Sequence, residues 1–249
     1  MAYFITGGTG LLGRNFIDKL KEREGDIYVL TRAGSTHKFE ELQERLGEQS
    51  ERLVPIQGDL QQPLLGLDEA TLADLKGKIK HFCHFAAIYD LSASAESQIK
   101  TNIEGTRNAV KLAEALEAGC FEHVSSIAAG GLYQGTFRED MFEEAEGLDH
   151  PYFATKHDSE GVVRNECSVP WRIYRPAMVV GNSKTGEIDK IDGAYYFFKS
   201  LQKIRGVLPQ WFPLIGIEGG KFNIVPVDYV VDAMDHIVHL DDMDGRCFH

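Results

Sequence analysis

After Met1 the chain runs Ala2-Tyr3-Phe4-Ile5-Thr6 and breaks at once into Gly7-Gly8-Thr9-Gly10-Leu11-Leu12-Gly13-Arg14. A β-rich run halted by glycines, with Phe16, Ile17 and Leu20 at helical spacing behind it, reads as strand, tight turn and helix. Few architectures accept that unit at their start. Glycine permits φ > 0 in the turn and lets a helix or a ligand come close to the backbone. The same alternation continues almost to the end of the chain. Strands are expected at 2–6, 26–31, 53–56, 80–86, 121–125, 171–174 and 246–248, with helices at 11–23, around 39–47, and at 68–75, 97–118 and 152–165.

Near-continuous apolar strands that alternate with helices imply a parallel sheet covered on both faces. The expected class is therefore α/β, a doubly wound Rossmann-type sheet with a partial C-terminal substrate lobe. Residues 1–181 read as the nucleotide-binding core, and 182–249 as substrate-side segments interleaved with the last core elements. Within the latter, 182–190 is a polar loop, 195–204 an aromatic amphipathic helix and 206–216 a greasy irregular stretch. Residues 226–240 are helical again, with Pro226 suited to a first turn. A strand at 246–248 wants a covering helix or loop, so the chain is expected to be the front part of a longer protein.

Composition narrows the partners. The 249 residues are 43% hydrophobic and carry a formal charge of −12. That charge disfavours nucleic acid and anionic membrane, both of which attract basic surface. No apolar run reaches the roughly 20 residues needed to span a bilayer. Cys83, Cys120, Cys167 and Cys247 are irregularly spaced with no C-x-x-C pair, which fits free thiols in a reducing cytoplasm. The nine histidines show no metal-ligand spacing. No metal is expected, and His84, His123 and His157 read as packing or surface residues.

The glycine turn points to a dinucleotide. At a strand-to-helix turn the helix N-terminus offers unpaired N–H groups and positive potential to a diphosphate. Gly7, Thr9, Gly10, Leu11, Leu12, Gly13 and Arg14 are the expected contacts. The spacing is G-x-x-G-x-x-G rather than G-x-G-x-x-G, and a tight turn without a ligand is the bland alternative. The second strand ends Thr31-Arg32 with no acid to take a ribose 2′-hydroxyl. Arg32 and Arg14, with Ser35 and Lys38 in reach, therefore favour the 2′-phosphate of NADP(H). Asp59 and Leu60 after the third strand, and Ala86 and Ala87 after the fourth, lie where adenine and ribose would rest. Asn102 is a further candidate, and Pro176 and Met178 follow the sixth strand near an expected nicotinamide carboxamide.

The chemistry resides in Tyr152-Phe153-Ala154-Thr155-Lys156, with Ser125 and Ser126 upstream. Four residues apart, Tyr152 and Lys156 share one helix face. A phenol can protonate the alkoxide left when hydride reaches a carbonyl carbon, and a nearby ammonium together with an oxidised nicotinamide is expected to lower the phenol pKa. Lys156 would also hold ribose hydroxyls. Ser126, at the start of the loop after the fifth strand, is preferred over Ser125 as donor to the substrate oxygen. A surface Tyr-Lys pair is the plain alternative. Asp228 reads as a cap or turn anchor, and the acidic run 139–146 as a solvated loop at the site entrance.

These residues make the chain similar to an extended short-chain dehydrogenase/reductase. Residues 3–10, 123–128, 137–142 and 224–228 carry a closer likeness. They resemble the N-terminal reductase domain of bacterial two-domain, alcohol-forming fatty acyl-CoA reductases. The resemblance implies NADPH-dependent reduction between fatty acyl-CoA and fatty alcohol, and a second reductase domain elsewhere in the protein. By division of labour this half would take fatty aldehyde to alcohol. Reduction of an acyl-CoA or carrier-bound thioester is the nearest rival. A sugar-nucleotide epimerase fits Thr31-Arg32 poorly, and a non-catalytic NADP(H) sensor should lack the catalytic pair.

Overall fold

The structure, a computed structural model, describes residues 2–89, 93–188, 194–207 and 223–249, with the backbone alone at 194 and 196–201. The first strand, β1 (Ala2–Thr6), is buried along its whole length. It is followed by α1 (Leu11–Lys19), β2 (Ile27–Thr31), α2 (Thr36–Leu46), β3 (Leu53–Gln57), α3 (Glu69–Leu75) and β4 (Ile79–His84). The second half contains α4 (Ala95–Gln98), α5 (Gly105–Ala115), β5 (Cys120–Val124), α6 (Pro151–Glu166), β6 (Trp171–Tyr174), β7 (Met178–Val180), α7 (Ala194–Val207), β8 (Ile224–Pro226), α8 (Val227–Val238) and β9 (Arg246–Phe248).

Seven strands form one sheet in the order β3-β2-β1-β4-β5-β6-β9, and every pairing is parallel. Helices cover both faces. One core packs Phe16 and Ile17 of α1, Leu42 of α2 and Val231 and Met234 of α8 on the sheet. The other packs Ala109, Leu112 and Ala113 of α5 and Val162 and Val163 of α6 on Phe4, Phe82 and Phe121. The chain reverses its winding between β1 and β4, so the C-terminal ends of these neighbours border the crevice where ligands bind such sheets.

Several boundaries differ from the sequence reading. α1 stops at Lys19 and tightens into a 3-10 turn over Leu20–Glu22. The single helix expected at 97–118 is three pieces: α4, a π-helical turn at Ile99–Glu104, and α5. Pro226 ends β8 and caps α8 instead of lying in its first turn. Its strand pairs with β7, a two-stranded unit that apolar patterning did not distinguish from loop. The greasy stretch from 208 onward lies outside the described residues. Among the described residues, no helix is long and apolar enough to cross a membrane.

Candidate active site

The turn between β1 and α1 is shaped by its glycines. Gly7 has φ +71°, and a Cβ there would lie 2.6 Å from the backbone nitrogen of Ala86. A Cβ on Gly13 would lie 2.3 Å from the Gly7 carbonyl oxygen. The turn closes with a hydrogen bond from Gly10 N–H to the Gly7 carbonyl at 3.0 Å. α1 then starts at Gly10 with no side-chain cap and no acid in its first turn. Its N–H groups and dipole are left to an anion. These features fit the diphosphate of a dinucleotide.

Beside the turn lies a cavity of about 470 Å³, lined by Thr9, Arg14, Lys38, Glu41, Leu42, Glu44, Arg45 and Glu187. Arg45 was not anticipated. It lies well beyond the last residue taken from the second strand, and only the packing of α2 on α1 brings it to Arg14. Arg32 projects into solvent with no side-chain partner among the described residues; its carbonyl accepts from Ser35 N–H at 3.0 Å. The structure thus gathers Arg14, Lys38 and Arg45 and leaves Arg32 outside that wall.

The other expected contacts follow the strand ends. Asp59 accepts from Gln61 N–H at 2.9 Å, a turn-stabilising role for its carboxylate. The Leu60 carbonyl takes the Asn108 amide at 2.8 Å. Ala86 borders the glycine turn with Ala87 next in the chain, and Thr6 bonds His84 at 2.7 Å. Pro176 accepts from Ile127 N–H, and Met178 N–H is occupied by the Asn223 carbonyl at 3.2 Å. Asn102 is buried in the π turn. Its oxygen accepts from Ile88 N–H at 2.7 Å, while its nitrogen donates to the Ile88 carbonyl at 3.0 Å and to Thr155 at 3.3 Å. It pins the loop after β4 to α6.

α6 begins at Pro151, with the His150 ring nitrogen accepting from Tyr152 N–H at 3.1 Å. Tyr152 and Lys156 face the end of β5. Burial pushes the Tyr152 phenol up from its ordinary value, and a hydrogen bond with Ser126 draws it back in part. Lys156 is 5% exposed and donates to the Val124 carbonyl at 3.5 Å. Burial lowers its ammonium to about 8, against the opposing pull of the Glu160 charge. Desolvation dominates both groups, and the ammonium is turned toward backbone.

Ser125 and Ser126 both follow the end of β5 and differ in their partners. Ser126 caps the short 3-10 turn after β5 by accepting from Ala128 N–H at 3.2 Å and is half-buried. Ser125 donates inward to Glu160 at 3.1 Å. Glu160 is also gripped by Arg175 at 3.0 Å and by Arg164 at 2.9 Å. Arg175, wholly buried, donates as well to the carbonyl of Met141 and meets His249. Sequence reasoning missed this support. A lone Glu one turn beyond Lys156 and an Arg ending a strand carry no spacing signal.

His84 and His123 stack within the sheet with ring centroids 5.6 Å apart. Burial, with the Lys156 charge adding to it, takes His84 down to about 3, so it is neutral packing. Asp228 accepts from the Ser183 amide and hydroxyl at 2.8 and 2.6 Å, a turn anchor.

A parallel sheet with this glycine turn, and a Tyr-x-x-x-Lys helix beside a serine after β5, defines an extended short-chain dehydrogenase/reductase. The sequence model of the male sterility protein family matches residues 5–234, so the chain belongs to that family. It is similar to a linear gramicidin synthase of Brevibacillus parabrevis, 29% identical over 96% of this chain and 5% of that protein. It is also similar to putative fatty acyl-CoA reductase CG8303 of Drosophila melanogaster, 27% identical over 92% of this chain and 50% of that one. The crystal structure of the terminal R domain from the myxalamid PKS-NRPS biosynthetic pathway superposes with a TM-score of 0.83. There the identity is 28%, over all of this chain and 64% of that one. The chain thus spans half or less of these two curated relatives. It is an SDR-type oxidoreductase, like fatty acyl-CoA reductases and peptide-synthetase reductase domains.

Proposed function

We propose that the chain is an NADPH-dependent reductase that takes a long-chain fatty aldehyde to the alcohol, working beside a second reductase domain in a larger fatty acyl-CoA reductase. The carrying observation is that Tyr152 and buried Lys156 stand one turn apart on α6, with Lys156 reaching the Val124 carbonyl at the end of β5 just ahead of Ser125 and Ser126, in a sheet whose first strand ends in the uncapped glycine turn.

Gly7, Gly10 and Gly13 with the α1 N-terminus would hold the diphosphate. The cavity containing Arg14, Lys38 and Arg45 supports a 2′-phosphate, which carries close to two charges that paired guanidinia match. When bound, the cofactor supplies a hydride. Ser126 then donates to the substrate oxygen as charge grows there, and Tyr152 gives its phenolic proton to that oxygen, completing the alcohol. Lys156 compensates the phenolate left on Tyr152 and holds hydroxyls beside it. A phenol whose pKa is raised by burial holds its proton at neutral pH, as a donor must.

A second reading, reduction of an acyl-CoA or carrier-bound thioester at the same site, draws support from the likeness to peptide-synthetase reductase domains. The test is NADPH consumption with a long-chain aldehyde and, in parallel, the matching acyl-CoA, on this chain and on a longer one. Aldehyde turnover is expected. Consumption with the thioester alone would overturn the assignment in favour of the second reading.

A further inference from the structure

Resting on the NADPH preference above, we infer that Glu187 is a built-in competitor for the cofactor's 2′-phosphate. Its carboxylate oxygen accepts from Arg45 at 2.8 Å and from Arg14 at 3.4 Å, on the wall of the cavity that also contains Thr9 of the glycine turn and Lys38. A side chain thus already occupies the donors a phosphate would use.

A braced turn aims this carboxylate. Asn182 N–H donates to the Glu187 carbonyl at 3.0 Å and Gly186 N–H to the Asn182 carbonyl at 2.8 Å. The Asn182 side chain takes the Lys184 and Thr185 amides, and Thr185 takes the Glu187 amide at 3.2 Å. Ser183 is tied to Asp228 at the start of α8. The remaining acids at this wall do different work. Asp18 grips Arg45 from the α1 side. Glu41 pairs with exposed His37 at 3.5 Å. Glu44 lines the cavity. Among the described residues, Glu187 is the acid that bridges Arg14 and Arg45.

Two anions cannot share those guanidinia without repulsion, so a 2′-phosphate must expel Glu187, whereas a cofactor with a free 2′-hydroxyl need not. Glu187 therefore trims the affinity for NADPH and leaves that for NADH alone. It also keeps the cationic groove neutralised until the cofactor arrives.

The experiment is equilibrium titration of NADPH, NADH and 2′,5′-ADP on the wild-type chain and on Glu187→Gln, with thermal melting to confirm that this exposed substitution leaves the fold intact. Glu187→Gln is expected to tighten NADPH and 2′,5′-ADP roughly three- to fivefold, the worth of partly exposed ion pairs. NADH should be unchanged, and the gain should shrink in high salt. Unaltered or weaker NADPH binding, or equal tightening of NADH, would overturn the role of Glu187. If the wild-type chain holds NADH as tightly as NADPH and ignores 2′,5′-ADP, the cofactor proposal itself fails and this inference with it.

Discussion

Tyr152 and Lys156 show how far a residue's place decides its chemistry. Phenylalanine at 152 fills the same space without the proton, so Tyr152→Phe should lose about 10²- to 10⁴-fold in aldehyde reduction. NADPH affinity should stay unchanged in a binding titration. Lys156 carries a cost of burial that pH can reveal. Its pKa falls from 10.5 in the open chain to about 8 in the fold, so between those values the unfolded state binds the extra proton. Stability from this group is lost as pH falls through 8 and regained toward 10.5. Lys156→Met should therefore melt above wild type at pH 7, with the gap narrowing as pH rises toward 10. A constant gap would show that burial is not what lowers Lys156. The sequence preferred Ser126 for its place at the start of the loop after the fifth strand, and in the structure it caps the 3-10 turn there while Ser125 donates to Glu160. The sequence did not reveal Arg45 or Glu187, whose proximity to Arg14 arises from α2 and the 182–188 turn folding back on α1.

Among the elements, the π turn at Ile99–Glu104 is the least legible. It interrupts neither the apolar spacing of 97–118 nor its helical composition, and only the backbone hydrogen bonds register the widened turn. Its effect is to seat Asn102 against both backbone groups of Ile88 and against Thr155, joining the loop after β4 to the helix that carries Tyr152. Asn102→Ala leaves those part-buried backbone groups without their side-chain partner and should cost about 1–3 kcal/mol, measurable by urea unfolding. Asn102→Asp keeps the acceptor and should cost less. The glycine turn, by contrast, was readable at once, because close approach leaves no other residue type possible. A Cβ on Gly13 would overlap the Gly7 carbonyl, so Gly13→Ala should disrupt the turn and cofactor binding together.

For the whole molecule, the sheet class followed from strand–helix alternation, while the polar interior did not. Arg175 and Glu160 are fully buried and tie α6, β6, the Met141 loop and His249 together. Burial raises the Glu160 carboxyl, yet the hydrogen bonds and charges of Arg175 and Arg164 outweigh it and hold it low. That contribution is present above the ordinary carboxylate range and is lost as pH falls through the folded value. Arg175→Met should cost about 3–5 kcal/mol and bring acid unfolding to a higher pH. The sheet order also has a consequence for covalent continuity. β9 pairs with β6 across a long intervening stretch of chain, β8 pairs with β7, and α8 packs on α1. A protease nick in the exposed Ser183–Gly186 turn would sever the chain between two interlocked pieces. The cut protein should elute from a sizing column as one species and come apart only in denaturant, making that turn a natural seam at which the molecule could be supplied as two complementing fragments.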